Sequence, residues 1–167
     1  MAQRFEVHPD NPQARFLKQA AQILDKGGIA AIPTDSSYAR VDNRQYRLLK
    51  SATPGPFTFI LEATKEVPRR VSHPSRRTIG LRVPDHRVTQ DLLALLGQPL
   101  LATTLIPPGE SEPLNDPDDI AERYDKLLQV VVDAGACPLQ PTTVVDMTGD
   151  EAEIVRLGRG DPALLGL

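Results

Sequence analysis

The stretch GGIAAIPTDSSYA, residues 27–39, joins a short apolar run to a cluster of small polar side chains. A glycine pair and Pro33 bound the apolar half, which is typical of a central strand covered on both faces. The polar side chains of residues 34–37 follow where that strand should end, and ligands bind at such strand ends in open α/β sheets. A solvated turn is the alternative, because Asp and Ser side chains also stabilise turns through local hydrogen bonds.

The segments around this stretch alternate between strand and helix patterns. Residues 4–8 alternate as a strand, Asn11 and Pro12 predict a helix start, and Gly27 predicts the end of that helix. Further strands are predicted at 57–61, 78–83, 99–103, 128–132, 141–148 and 153–157, and further helices at 42–50, after Pro84-Asp85 and after Asp116. The chain therefore begins with a β-α-β unit and has the element order of an α/β fold.

The composition fits one globular domain with an aliphatic core. Of the 167 residues, 40% are hydrophobic and 4% aromatic, and tryptophan is absent, which disfavours a stacking platform for single-stranded nucleic acid. No apolar run is long enough to span a bilayer and the N-terminus lacks a signal-peptide pattern, so we expect a cytoplasmic protein with no membrane partner. The single cysteine, Cys137, predicts neither an internal disulfide nor a metal site.

The net charge of −3 conceals two regions of opposite sign. Basic residues dominate residues 64–90, which suggests an anionic ligand such as phosphate or RNA. The alternative is an ordinary solvated surface, above all for four arginines: Arg69, Arg70, Arg76 and Arg77. Acids dominate residues 110–126, but Asp116 and the acids after it read as the start of a helix, so we assign no metal site there.

Familiar catalytic motifs are absent from the sequence. It contains no P-loop, no Gly-x-Gly-x-x-Gly, no nucleophile elbow and no histidine pair at metal-ligand spacing. A bound nucleotide would therefore be held by hydroxyls, backbone amides and arginines. Arg82 alternates with Gly80 on one face of a predicted strand, which suits a ligand that approaches the backbone closely. An edge-strand arginine in solvent is an equal alternative.

Several short motifs occur in order along the chain. They are Gly27-Gly28 with residues 33–39, Pro54-Gly55-Pro56-Phe57-Thr58, Arg82-Val83-Pro84-Asp85-His86 and Thr142-Thr143-Val144-Val145-Asp146. With these motifs the chain resembles the YrdC-like superfamily, and His8-Pro9-Asp10-Asn11-Pro12 resembles its YciO branch. The resemblance implies a single domain over residues 1–167, with a twisted, open, mixed α/β sheet, helices packed on it and a positively charged concave face.

The best-known members of that superfamily are L-threonylcarbamoyl-adenylate synthases. They join ATP, L-threonine and bicarbonate and release pyrophosphate, and their product is used for tRNA modification. The resemblance assigns substrate binding to Thr34, Ser36, Tyr38 and Thr104, nucleotide binding to Thr142 and Arg156, and catalysis to Arg82 and Arg156. It also implies that ATP arrives with Mg²⁺, without a tightly bound metal. The alternative function is a non-catalytic protein that binds double-stranded RNA or tRNA through Arg69, Arg70, Arg76 and Arg77.

Two departures from the family pattern predict weakened activity. Ile106 stands where the family has the Asn of a Ser-x-Asn loop, and an isoleucine side chain forms no hydrogen bond. A helix with a Lys-x-Arg motif is also missing near residues 39–40. Either this helix is deleted from the protein, or the sequence omits a segment that the intact protein contains. We favour the second explanation, because a deletion between central elements should disrupt the sheet; the Cα atoms of Ala39 and Arg40 should then be much farther apart than about 3.8 Å.

Overall fold

The computed structural model describes residues 2–27, 30–31, 41–65, 75 and 77–167, and the chain divides into two compact units. Unit 1 comprises Met1–Thr34, His86–Pro99 and Thr103–Leu139, and unit 2 comprises Asp35–Asp85, Leu100–Ala102 and Gln140–Leu167. The elements in chain order are β1 (Gln3–Glu6), α1 (Ala14–Asp25), β2 (Ala30–Ala31), α2 (Asn43–Ala52), β3 (Phe57–Glu62), β4 (Thr78–Leu81), α3 (Arg87–Leu96), α4 (Pro117–Tyr124), β5 (Val130–Asp133), β6 (Thr143–Asp146), β7 (Glu153–Arg156) and a 3₁₀ helix (Pro162–Leu165).

Unit 1 contains a three-stranded parallel sheet in the order β1-β5-β2. All four residues of β5, three valines and Asp133, are buried, as expected for a central parallel strand. Gln3 of β1 and Ala30 of β2 both lie opposite Val130 in this sheet. The predicted β-α-β unit at the start of the chain is confirmed, with β5 lying between its two strands.

Helices α1 and α3 belong to unit 1 and bury short apolar stripes. Leu17 and Ala20 are the buried residues of α1, and Val88, Thr89 and Leu92 are those of α3. Gly27 follows α1 with a positive φ of 81°, as its predicted place at the helix end requires.

The predicted N-cap of α1 is wrong. The helix begins at Ala14 with Gln13 as its N-cap residue, not at Pro12 after Asn11. The reason is that the His8 ring already accepts the backbone N–H groups of Asp10 and Asn11 at its Nδ1, each at 3.2 Å. These residues therefore form a turn ahead of the helix.

Unit 2 contains a four-stranded mixed sheet in the order β4-β3-β6-β7. Strand β3 pairs parallel with β6, while the β3–β4 and β6–β7 pairs are antiparallel. The predicted alternation of β3 is confirmed, since Phe57, Phe59 and Leu61 are buried. Together with residues from other elements they form a core cluster of Ala52, Phe57, Phe59, Leu61, Val145, Met147 and Leu165.

Helix α2 begins with a capping box in unit 2. The Asp42 side chain accepts the backbone N–H groups of Arg44 and Gln45, and the Gln45 side chain accepts the backbone N–H of Asp42. The amide nitrogen of Gln45 also donates to the carbonyl oxygen of Met147 at 2.7 Å, which ties the helix start to the segment after β6. The helix predicted from residue 42 is therefore confirmed.

One predicted strand is wrong, because residues 99–103 form no strand. Leu101 is 73% exposed, so this apolar run has no buried face that could hold it in a sheet. The remaining elements confirm the α/β fold class, with one parallel sheet, one mixed sheet and helices. In the part of the chain that the structure describes, no helix combines the length and the apolar character needed to cross a membrane. The single domain over residues 1–167 stays a prediction.

Candidate functional site

Residues from four separate segments of the chain meet at one end of the sheet in unit 2. Strands β3 and β6 begin at this end, because they are parallel and Phe57 lies opposite Thr143. Strands β4 and β7 run the other way and end there. Four predicted or newly found polar residues lie at this end, and we call them the sheet-end site: Thr58, Arg82, Thr142 and Arg156.

Thr142, predicted to bind the nucleotide, is buried directly before β6, with 8% of its surface exposed. Its Oγ1 lies 2.8 Å from Oγ1 of Thr58 on the neighbouring strand β3, and either hydroxyl can be the donor. Its carbonyl oxygen accepts a hydrogen bond from Nη2 of Arg156 at 3.1 Å. The structure therefore brings Thr142 and Arg156 together and adds Thr58, while the predicted roles of Thr142 and Arg156 stay predictions.

The backbone around Thr142 is fixed by the segment that follows β7. The hydroxyl of Thr143 donates to the carbonyl oxygen of Gly160 at 2.7 Å and accepts the backbone N–H of Gly158 at 2.9 Å. The two chain segments are so close at Gly158 that an added Cβ would lie 2.3 Å from the carbonyl oxygen of Pro141. Only glycine fits at residue 158, and the close approach leaves the Thr142 backbone little freedom.

Arg82 follows the last residue of β4 and is half-buried. Leu81 lies opposite Phe59, so the antiparallel register brings Arg82 beside Thr58. Just beyond, the backbone N–H of Gly55 donates to the carbonyl oxygen of Val83 at 2.9 Å, which keeps the two segments adjacent past the end of β4. Arg82 thus lies just past β4, at the end of the sheet where Thr58 and Thr142 lie, and its predicted role stays a prediction.

Thr104 belongs to unit 1, in an exposed loop. Its carbonyl oxygen accepts the backbone N–H of Ile106 at 3.1 Å, and the carbonyl of Leu105 accepts the N–H of Leu114 at 2.9 Å. The side chain of Ile106 is 45% exposed. The loop that resembles the family's Ser-x-Asn loop is therefore tied back on itself, with its apolar substitution open to solvent.

Most of the other predicted site residues lie outside the described residues. This holds for the substrate-binding candidates Thr34, Ser36 and Tyr38, for the RNA-binding candidates Arg69, Arg70 and Arg76, and for the junction of Ala39 and Arg40. Their roles stay predictions. The remaining RNA-binding candidate, Arg77, is exposed and has a positive φ of 51°.

A charged cluster in unit 1 was not predicted from the sequence. Arg4 of β1 donates to the buried carboxylate of Asp133 through Nε at 3.1 Å and Nη2 at 2.5 Å, and Nη1 donates to Asp118 of α4. These hydrogen bonds, the one to Asp133 foremost, raise the pKa of Arg4. The cluster lines a cavity of about 810 Å³ at the carboxyl ends of β1 and β5. Because its guanidinium already donates hydrogen bonds to two carboxylates, Arg4 is poorly suited to bind a phosphate.

The described residues offer no cluster for a resident metal ion. No group of three or more His, Cys, Asp or Glu side chains within the described ranges could hold one. We therefore assign no residue to Mg²⁺ and derive no step through it.

The fold and the sheet-end site define an α/β protein whose polar groups meet at one end of a mixed sheet. The chain belongs to the Sua5/YciO/YrdC family, since the family model described as "Telomere recombination" matches residues 36–158.

YciO of Escherichia coli K12 is similar to most of this chain. It is 39% identical over 201 residues, which covers 96% of this chain and 98% of that protein. The aligned length exceeds the 167 residues of this chain, so YciO contains residues that have no counterpart here. The crystal structure of E. coli YciO superposes with a TM-score of 0.90 at 38% identity, covering 99% of this chain and 100% of that one.

More distant relatives carry a named activity. A threonylcarbamoyl-AMP synthase of Bos taurus is 33% identical over 161 residues, which covers 71% of this chain and 56% of that protein. The crystal structure of P. abyssi Sua5 complexed with L-threonine has a TM-score of 0.81 at 18% identity, covering 93% of this chain and 57% of that one. The second likeness supports the shared fold.

Proposed function

We propose that this protein binds ATP and L-threonine and forms L-threonylcarbamoyl-AMP. Its rate is lower than that of family members that have the Asn of the Ser-x-Asn loop and the helix with the Lys-x-Arg motif. The observation that carries the proposal is the assembly of Thr58, Arg82, Thr142 and Arg156, from four separate segments of the chain, at one end of a sheet. The bovine relative named as threonylcarbamoyl-AMP synthase and the threonine complex of P. abyssi Sua5 support this substrate class.

The reaction suits a site made of hydroxyls and arginines. The carbamate of threonine supplies the nucleophilic oxygen, which attacks the α-phosphorus of ATP while the bond to pyrophosphate breaks. No side chain has to act as a nucleophile, so the protein contributes mainly by aligning the two substrates and by offsetting the charge that develops on the phosphate oxygens. Arg82 and Arg156 would carry out the second task.

Arg156 can offset phosphate charge because its hydrogen-bond partner is a neutral carbonyl group. One nitrogen of its guanidinium donates to the carbonyl oxygen of Thr142, and the group has further donors to offer. Among the described residues no carboxylate forms an ion pair with Arg156, unlike Arg4 in unit 1. Its positive charge is therefore not neutralised by the part of the chain that the structure describes.

A pyrophosphate assay tests the proposal. We expect the intact protein to release pyrophosphate from ATP only when both L-threonine and bicarbonate are present, with threonylcarbamoyl-AMP detected by mass spectrometry. Omitting either co-substrate is the control for contaminating ATPase activity. If pyrophosphate release is absent, or independent of threonine, the proposal is wrong.

Ile106 gives a second test of the same function. Its side chain is 45% exposed, so Ile106→Asn should be tolerated by the fold and would restore the hydrogen-bonding group of the family's Ser-x-Asn loop. We expect a higher rate of threonine-dependent pyrophosphate release with unchanged stability. The matched control is Ile106→Val, which should leave the rate as it is.

RNA binding is the alternative function. An affinity for double-stranded RNA or tRNA that falls steeply with salt, and that weakens when Arg76 and Arg77 are both replaced by Ala, would favour it over the enzyme.

A further inference from the structure

The hydroxyl of Thr58, in the described part of unit 2, forms a hydrogen bond with Thr142. The family resemblance assigns nucleotide binding to Thr142. Thr58 lies on β3 between two buried neighbours, Phe57 and Phe59, so its side chain points to the face of the sheet opposite the core. Its Oγ1 is 2.8 Å from Oγ1 of Thr142, which is 84 residues away in sequence.

The backbone of Thr142 is already fixed without Thr58. Arg156 holds its carbonyl oxygen, and the Thr143 hydroxyl links the next residue to Gly158 and Gly160. Neither of these contacts involves the Thr142 hydroxyl. Among the hydrogen bonds of the described residues, the one to Thr58 restricts the rotation of that hydroxyl and its proton.

A pair of hydrogen-bonded hydroxyls can bind either an acceptor atom or a donor atom of a ligand. When Thr58 donates to Thr142, the proton of Thr142 is available for a phosphate or ribose oxygen; when Thr142 donates to Thr58, its lone pairs can accept from a ligand hydroxyl or amine. In both arrangements the Thr142 oxygen keeps its position. Thr58 therefore determines where that oxygen lies.

Space for a ligand exists on the same face. Gly80 of β4 lies opposite Ile60, and a Cβ added to Gly80 would have the methyl carbon of Thr58 as its nearest neighbour, at 3.6 Å. Glycine thus leaves the surface beside Thr58 uncovered, and its replacement by alanine would fill that surface without a steric clash.

We propose that Thr58 is a positioning residue that orients the Thr142 hydroxyl toward a bound adenosine 5′-phosphate group, with Gly80 leaving the adjacent face open to it. This inference rests on the proposed function, because it needs a nucleotide at the sheet-end site.

The test measures the dissociation constant for ATP by calorimetry in matched variants. Thr58→Val keeps the shape of the side chain and removes the hydroxyl, so we expect about tenfold weaker binding, as for the loss of one hydrogen bond in a binding site. Thr58→Ser keeps the hydroxyl and should stay within about twofold of the native protein.

Thr148→Val is the matched control for a general loss of stability. The Thr148 hydroxyl donates to Oδ1 of Asp146 at 2.6 Å near the other end of β6, so this variant loses a similar hydrogen bond away from the sheet-end site. Its affinity for ATP should be unchanged, while its urea midpoint should fall about as much as that of Thr58→Val. Equal losses of affinity in both variants would mean that Thr58 acts only through stability, and the inference would be overturned.

A double-mutant cycle separates positioning from direct contact. If Thr58 acts through Thr142, Thr58→Val should have no further effect in a protein that already carries Thr142→Val. Additive losses would overturn the inference while leaving the proposed function intact. Native protein that binds no ATP would instead overturn both, so the two failures are distinguishable.

Discussion

The two units of this protein use their polar residues in opposite ways. In unit 1, Arg4 is paired with the carboxylates of Asp133 and Asp118, so its positive charge is neutralised within the protein. In unit 2, the groups at the sheet end are hydroxyls, backbone carbonyls and arginines, and Arg156 donates to a neutral carbonyl, that of Thr142. An arginine whose partners are neutral keeps its charge for a ligand, whereas an arginine between two carboxylates serves structure.

The cores of the units differ as well. Each unit has a stacked pair of phenylalanines, Phe5 and Phe16 in unit 1 and Phe57 and Phe59 in unit 2, with ring centroids 5.3 Å and 5.9 Å apart. The ring of Phe16 is only partly buried, whereas Phe57 and Phe59 are both almost fully buried directly behind the sheet-end site. The aromatic core thus supports the strand that carries Thr58.

The largest expected effect is on this aromatic core. Phe59→Ala removes a fully buried ring, and we expect a loss of about 3–5 kcal/mol in the free energy of unfolding by urea titration. Leu157→Ala is the control, because Leu157 is 67% exposed and its truncation should change stability by less than about 0.5 kcal/mol. Similar losses in the two variants would contradict the proposed difference in burial.

The next effect concerns the arginine of unit 2 and rests on the proposed function. Arg82→Ala should lower the rate of threonine-dependent pyrophosphate release about 100-fold, because a donor to the developing phosphate charge is lost. Arg82→Lys keeps the charge without the planar fork and should recover part of the rate. Arg87→Ala, which breaks an exposed helical pair with Asp91, should leave the rate unchanged. A rate unaffected by both Arg82 variants would rule out its catalytic role.

Close packing behind the site gives a smaller stability effect. A Cβ at Gly160 would lie 2.6 Å from the Phe57 ring, so Gly160→Ala should cost about 1–3 kcal/mol through displacement of that ring. Gly149→Ala is the matched control, since its added Cβ would meet its nearest neighbour at 3.7 Å, an ordinary contact. Thermal unfolding of both variants would compare them directly, and a neutral Gly160→Ala would show that the ring can move.

The smallest effect is expected in the charged cluster of unit 1. Asp133→Asn removes a buried partner of Arg4 and should cost about 1–2 kcal/mol, while Asp118→Asn, at a side chain that is 75% exposed, should cost less than about 1 kcal/mol. Urea titrations at low and high salt would measure both, with the Asp118 contribution decreasing as salt rises. Equal costs would contradict the difference in burial between the two carboxylates.

The pH dependence of the stability that this cluster contributes follows from the direction in which the pKa of Arg4 is shifted. Because the pKa of Arg4 is raised in the folded state, its contribution to stability is fully present below the unfolded-state pKa of arginine. It is lost only as the pH rises from there through the folded-state pKa. The difference between the native protein and Asp133→Asn should therefore stay constant between about pH 6 and pH 10. A difference that changes within this range would mean that another group titrates with the cluster.

Much of the fold could be predicted because the signals are local. The alternation of Phe57, Phe59 and Leu61 identified β3, and Asp116 with Pro117 identified the start of α4, where the Asp116 side chain accepts the N–H groups of residues 118 and 119. Local signals failed where a distant or unexpected group intervened. The His8 ring took the place of the expected cap at Asn11, and residues 99–103 found no buried face.

The sequence by itself determined the family and the types of residue in the site, because motifs and alternation are properties of neighbouring residues. It could point to Arg82, Thr142 and Arg156 one by one, but it gave no sign that Thr58 would meet Thr142. Only the tertiary structure decided that contact, since it depends on β3 and β6 being parallel neighbours with Phe57 opposite Thr143. The pairing of strands so far apart in sequence is set by packing of the whole sheet, which local patterns do not encode.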